Sequence, residues 1–386
     1  MNIKKSSGIL MPITSLPSKY GIGCFSHEAY EFTDKLKKAG QSVWQILPIG
    51  PTGFGDSPYQ SFSTFAGNPY MISLEELISE GVLSRAECES EAFRDGSIDY
   101  GHLYRTRYTL LKKAYERSNI KSNQNYLDFT AENAWWLEDY AAFFAIKNKY
   151  CGKPWYEWDI GIRMKEKSIE DKYRKELSGD IDFCKYIQYK FFEQWYKLKK
   201  YANEKGIKIV GDLPIYVSYD SADVWANPQL FMLDGDTPVN VAGCPPDGFA
   251  PEGQLWGNPV YDWEYHDKTD YEWWISRIEY SFRLYDILRI DHFRGFDEFY
   301  SIPYGDKTAE NGQWKKGPGT ELFRYIEKVS GKLPIIAEDL GFLTPSVHQM
   351  LRECGFPGMK VLEFAFSPDE ESSYLPYQYE KNCVCY

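Results

Sequence analysis

The 386-residue chain lacks any uninterrupted apolar run approaching the roughly eighteen residues that a membrane-spanning helix needs, so a membrane protein of that type is excluded. It lacks paired cysteines as well. The eight cysteines, at 24, 88, 151, 184, 244, 354, 383 and 385, form no CxxC and do not sit with histidines at zinc spacing, so a zinc ribbon and a thioredoxin-type motif are excluded. Reduced structural thiols, no metal and a cytoplasmic location are the expectation. A basic cluster is missing too, and the net charge is −12, which argues against a nucleic-acid partner, because phosphates need Lys and Arg to neutralise them. Neither GxGxxG after a strand nor GxxxxGK[ST] occurs, so the glycine-rich loops carry little sign of a nucleotide cradle. The opening stretch "MNIKKSSGILMPITSLP" has a short apolar run ending in Pro12 without a small-residue cleavage site, and reads as a first strand rather than a signal peptide.

What the chain has in excess is aromatic residues, 17% of the total, with 12 Trp and 31 Tyr. Aromatic faces stack on the apolar faces of pyranose rings, and Tyr hydroxyls and Trp N–H groups bond to sugar hydroxyls. Most aromatics simply fill a core, so only those inside polar loops count as evidence for a ligand. Two such loops stand out. Residues 50–70 and 241–263 set Tyr59, Phe62, Phe249, Trp256 and Tyr261 among Asp, Ser, Asn and Gln, a composition suited to a carbohydrate cleft.

Several short apolar runs end in Pro, Asp or Glu, at 8–13, 43–49, 207–217, 285–293, 333–340 and 359–366. Near-continuous apolar runs fit strands buried on both faces, as in a parallel sheet covered by helices. Helical periodicity lies between them. Residues 27–40 place Ala29, Phe32, Leu36 and Ala39 on one face and stop at Gly40; residues 182–206 do the same with Phe183, Ile187, Phe191 and Trp195. The alternation predicts a (β/α)8-type TIM barrel filling residues 1–386, with a mainly helical insertion at 72–206.

Polar residues gather at the predicted strand ends: Asp212; Arg289, Asp291 and His292; Glu338 and Asp339. In such a barrel these tips converge at one mouth. A solvated loop start or an ion pair is the ordinary explanation for any one acid, and three acids on successive strand ends exceed it. Two carboxylates across a sugar can cleave a glycosidic bond, one as nucleophile and one as acid/base. Asp291 would be held ionised by Arg289, while Glu338, partly desolvated beside another acid, would keep its proton.

Six segments in order, "PITSLPSKYGIGCF", "WQILPIGPTGFGDSPYQSFSTFAGNPYMI", "GDLPIYVSYDSADVWANP", "PPDGFAPEGQLWGNPVYDW", "LRIDHFRGF" and "IIAEDLG", closely resemble the 4-α-glucanotransferases (amylomaltases, disproportionating enzymes) of glycoside hydrolase family 77. The resemblance implies transfer of an α-1,4-glucan segment from a maltooligosaccharide to the 4-hydroxyl of glucose or another glucan, through a covalent ester on Asp291, without a cofactor or metal. It makes Glu338 the acid/base, Arg289 the residue that positions the nucleophile, and Asp212 a sugar contact. His292 joins these as a substrate-binding residue. Trp256 and Asn258 correspond to a mobile loop over the cleft, and Ser57 and Tyr59 to acceptor-side contacts. The family pattern continues beyond Tyr386 into a loop with a third acid and a last strand, so a barrel truncated before its last strand is expected. An inactive or merely glucan-binding remnant, and an α-glucan hydrolase, stand as alternatives.

Overall fold

A computed structural model describes residues 5–53, 55–89, 96–248, 250–341, 343–366 and 374–386. Phe249, one of the loop aromatics singled out above, lies outside these residues. Five strands, Gly8–Leu10, Val43–Gln45, Lys208–Pro214, Ile287–Asp291 and Ile335–Ala337, pair in that order, and every pairing is parallel. The wall continues through a hydrogen bond of 2.9 Å from Ala337 N–H to Pro357 O, into Gly358–Lys360, which pairs in parallel with Cys383–Cys385. Spatial order equals chain order. That is a singly wound parallel order, the one the expected barrel requires; a doubly wound sheet would reverse its order at a switch point.

Strand alternation sorts the side chains. Val43, Val210, Ile287, Ile336 and Met359 pack together with Val384 and Tyr386 on the inner face. Their neighbours Trp44, Ile209, Leu288, Ile335 and Ala337 join the main core under the helices. Burial on both faces is why these strands read as unbroken apolar runs. The Tyr386 hydroxyl donates to Gln45 Oε1 at 2.6 Å, tying strand Cys383–Cys385 to strand Val43–Gln45.

Helix His27–Lys38 ends where Gly40 takes φ +71°, a conformation glycine adopts without steric cost. Among the described residues, 72–176 are helical where they have regular structure, with Tyr100–Arg117 and Ala134–Lys149 the longest helices. Helix Ser178–Glu204 buries Phe183, Ile187, Phe191 and Trp195. It packs against both helix His27–Lys38 and strand Lys208–Pro214, so it serves as the crossover helix between the second and third strands.

Two expectations require correction. The run 359–366 is a strand only over Gly358–Lys360; Leu362–Phe366 turns into a 3-10 helix with Leu362, Phe364 and Phe366 exposed. Once the chain leaves the wall, apolarity alone does not extend a strand. The polar stretch 241–263 carries two strands: Gln254–Pro259 pairs with Asn240–Cys244, which pairs with Glu298–Pro303, and that strand pairs with Gln313–Lys316, in a four-stranded antiparallel sheet. Glycines hid this sheet from a periodicity reading. A Cβ on Gly243 would lie 2.1 Å from Gln254 O, so the close approach of these two strands requires glycine there.

Candidate active site

Period-2 alternation explains the charged strand ends. Asp212 has the parity of Val210, Arg289 and Asp291 that of Ile287, and Glu338 that of Ile336, so all four belong to the inner face, with the last two beyond or at the strand tips. The register sets Asp212 opposite Arg289. Arg289 Nη1 donates to Asp212 Oδ1 at 2.6 Å, Nη2 lies 2.9 Å from Asp291 Oδ1, and Nε donates to Met359 Sδ at 3.3 Å. One guanidinium thus binds two carboxylates from two strands and a sulfur from a third. Tyr59 donates its hydroxyl to the remaining Asp212 oxygen at 2.7 Å.

Burial dominates the electrostatics. Asp212 is 3% exposed, and desolvation pushes its pKa up to about 6, with Asp291 adding to the rise and Arg289 and Tyr59 opposing it. Burial likewise raises Asp291, against the pull of Arg289. The expected ion pair is present, but desolvation outweighs it in direction. Asp291 is more open than Asp212 and Arg289, keeping 29% of its side chain exposed.

Glu338 sits where two chain ends are stitched together. Its N–H donates to Ile290 O at 3.0 Å, and its O accepts from Phe293 N–H at 3.0 Å. Its carboxylate accepts from His292 N–H and Leu340 N–H, each at 2.8 Å. Those amides favour the charged form; burial and the nearby Asp291 charge outweigh them, and the pKa is raised. His292 makes this geometry possible by adopting the left-handed region (φ +53°, ψ +48°), which turns its N–H toward Glu338. Its ring packs edge-on against Trp256, with centroids 4.8 Å apart. Burial lowers His292 to about 4, so its imidazole is neutral at pH 7, and its Nε2 is buried without a hydrogen-bond partner among the described residues.

The structure therefore brings together Tyr59, Asp212, Arg289, Asp291, His292, Glu338 and Trp256. Ser57 is employed in the turn that carries Tyr59, where its hydroxyl accepts Tyr59 N–H at 3.3 Å. Asn258 is likewise engaged. It is buried, donates to Val217 O at 2.8 Å and accepts from Gln60 Nε2 at 3.1 Å, which pins strand Gln254–Pro259 to its neighbours. Trp256 and Asn258 thus lie on that strand and not on a loop. Asp339, the second acid of "AEDLG", has the opposite parity to Glu338 and accepts Met359 N–H at 2.6 Å as part of the scaffold.

Sequence reasoning missed Met359, Gln60 and Arg277. Arg277 is buried between the rings of Trp273 and Trp274 and donates to Pro214 O, Ile215 O and Thr64 Oγ1 at 2.6, 2.8 and 2.7 Å. It joins the end of the Asp212 strand to the segment bearing Tyr59. Nothing in an amphipathic helix distinguishes such an arginine from a solvated one. Among the described residues no group of three or more His, Cys, Asp or Glu side chains is placed to hold a metal ion, and no helix is long and apolar enough to cross a membrane.

A family model described as 4-alpha-glucanotransferase matches residues 11–386. A 4-alpha-glucanotransferase of Clostridium butyricum is 50% identical over 380 residues, covering 97% of this chain and 78% of the relative. One from Thermus thermophilus is 44% identical over 384 residues, covering 98% of this chain and 76% of its own length. The solved structure of an amylomaltase from Streptococcus agalactiae in complex with acarbose superposes with a TM-score of 0.96 at 44% identity, covering 99% of this chain and 78% of that one.

Proposed function

The chain belongs to the 4-alpha-glucanotransferases of glycoside hydrolase family 77, and on that premise we propose that Asp291 is the nucleophile and Glu338 the acid/base of its transfer reaction. The enzyme is a glycosyltransferase acting on α-1,4-glucans. The observation that carries the residue assignment is the parallel pairing of strands Ile287–Asp291 and Ile335–Ala337, which sets Asp291 and Glu338 level on neighbouring inward positions. Neighbouring strands lie about 4.8 Å apart, which brings both side chains to one anomeric carbon, as a retaining double displacement requires.

In the first step an Asp291 oxygen forms a bond to the anomeric carbon as the glycosidic C–O bond breaks and Glu338 gives its proton to the departing oxygen. Glu338, now a carboxylate, then takes the proton of an incoming 4-hydroxyl as that oxygen displaces the ester and frees Asp291. Arg289 orients Asp291 and offsets the charge of Asp212; Tyr59 and Asp212 contact the sugar beside the ester. His292 offers its buried Nε2 to a sugar hydroxyl, and Trp256 shields the ester against water while presenting a face to the acceptor ring. Maltooligosaccharides serve as donors, and glucose or another α-1,4-glucan as acceptor.

Incubation with maltotriose tests this. Glucose and chains longer than the substrate are expected, and both vanish in Asp291→Asn. Hydrolysis products alone, with no chain longer than maltotriose, would overturn the transfer reading.

A further inference from the structure

Twelve tryptophans are present, and Trp135, on helix Ala134–Lys149, is the most exposed of them at 51%. Its ring meets Phe65 edge-on, with centroids 4.7 Å apart, and it caps a cluster that includes Tyr280 and Trp136. A hollow of about 90 Å³ opens beside it, lined by Trp135, Phe65 and Trp273 on the apolar side and by Ser63, Asp139 and Asn227 on the polar side. The polar groups are held in fixed directions. Asp139 Oδ1 lies 2.6 Å from Arg174 Nη2, and Ser63 Oγ accepts Phe65 N–H and Ala66 N–H at 3.2 and 3.3 Å, leaving its own hydrogen to donate.

We infer that this surface is an accessory subsite that holds a stretch of α-1,4-glucan at a distance from the bond being broken. An indole face bordered by a carboxylate, an amide and a hydroxyl matches a sugar ring, which has an apolar face and a hydroxyl rim. The acidic lining disfavours a phosphate-bearing ligand. The hollow is too small for a whole sugar; it suits a ring edge or a hydroxymethyl group while the ring itself lies over Trp135.

The glucan occupant rests on the proposed reaction, and one segment of chain borders both this hollow and the space beside Tyr59 and Asp212. Ser63 and Phe65 line this hollow on one side and, on the other, the pocket that contains Tyr59 and Asp212. The segment is anchored between the two by Thr64 N–H donating to Asp223 Oδ2 at 2.9 Å and by Arg277 donating to Thr64 Oγ1 at 2.7 Å. A polymer long enough to occupy both sites gains the second contact at high effective concentration, whereas maltotriose reaches only the first.

The test is electrophoresis of the native chain through gels containing amylopectin or dextran, which needs no turnover, beside maltotriose disproportionation. Retardation by amylopectin and not by dextran is expected. Trp135→Leu keeps an apolar cap on Phe65 and Tyr280 but removes the flat face; it should weaken retardation about two- to tenfold and leave the maltotriose rate and the thermal midpoint unchanged. Retardation equal to the parent, equal retardation by dextran, no retardation of the parent, or a parallel loss of the maltotriose rate would each overturn the subsite. Absence of maltotriose disproportionation in the parent would instead count against the transferase assignment, independently of the gel result.

Discussion

Glu338 accepts the backbone N–H of His292 at 2.8 Å, and His292 directly follows Asp291 in the chain. The two proposed catalytic carboxylates are therefore coupled through one peptide unit in the left-handed conformation. Moving either strand tip would move both groups together, which keeps their spacing constant while sugars come and go.

The roles of the two acids separate by leaving group. Asp291→Asn should lower transfer from every donor by about 10³-fold or more. Glu338→Gln should be as poor on maltotriose but retain ester formation from a maltosyl fluoride, whose leaving group needs no proton. A burst of fluoride from the first variant and none from the second would reverse the assignment.

Charge coupling between the same groups is measurable without turnover. The Asp291 charge is one cause of the raised pKa of Glu338, so Asp291→Asn should bring that pKa down. In the parent, a raised Glu338 stays protonated to higher pH and extends the alkaline limb of the first step. Carboxyl carbon NMR of the labelled protein reads the shift; an unchanged or higher pKa would show that the two acids do not face each other.

Arg289 binds Asp212 and Asp291 at once, and Asp212 is almost fully buried. Removing the cation leaves two carboxylates in one desolvated space. Arg289→Met should cost about 3–5 kcal/mol of stability, read by denaturant unfolding, together with nearly all activity. Arg289→Lys should fail to recover activity, because an ammonium cannot span both acids in a fixed fork. A lysine variant with parental kcat would refute the bidentate role.

Asp223 offers a test of burial itself. Desolvation raises its pKa from 3.8 to about 6. A raised acid binds its proton more tightly in the folded state. Its contribution is complete below about pH 4 and is lost as pH rises through about 6. Asp223→Asn keeps an oxygen for Thr64 N–H and removes the titration, so its stability should change less between pH 4 and 7, by about 2–3 kcal/mol. Thermal midpoints across that range decide the matter; a pH profile parallel to the parent's would sink the claim.

Trp256 packs on His292 above the proposed ester. Trp256→Ala should shift partitioning from transfer toward hydrolysis, seen as more reducing ends per maltotriose consumed and fewer chains longer than the substrate. A variant that slows without changing its product ratio would leave Trp256 as packing alone.

The strand ends were legible because burial on both faces leaves an apolar run, and a charge terminating such a run has few inexpensive explanations. Asp212, Arg289, Asp291 and Glu338 could be picked out in that way. The partners of Asn258 could not be read from its glycine-rich stretch, because its amide bonds Val217 and Gln60, which lie far from it along the chain. Arg277 left no trace in the chain, because its partners are backbone carbonyls at Pro214 and Ile215 that no local pattern encodes.

What the sequence determined alone is the local chemistry: strand periodicity, the carboxylates at the tips, the family motifs and the aromatic surplus, all of which depend on residues a few positions apart. Only the tertiary structure decided which oxygens meet. Arg289 reaches Asp212 across 77 positions of chain because parallel register and inward parity set both on one face, and Tyr59 reaches it across 153 from a turn beyond strand Val43–Gln45. Such meetings arise when strands far apart in the chain pair side by side, and no window along the chain contains them.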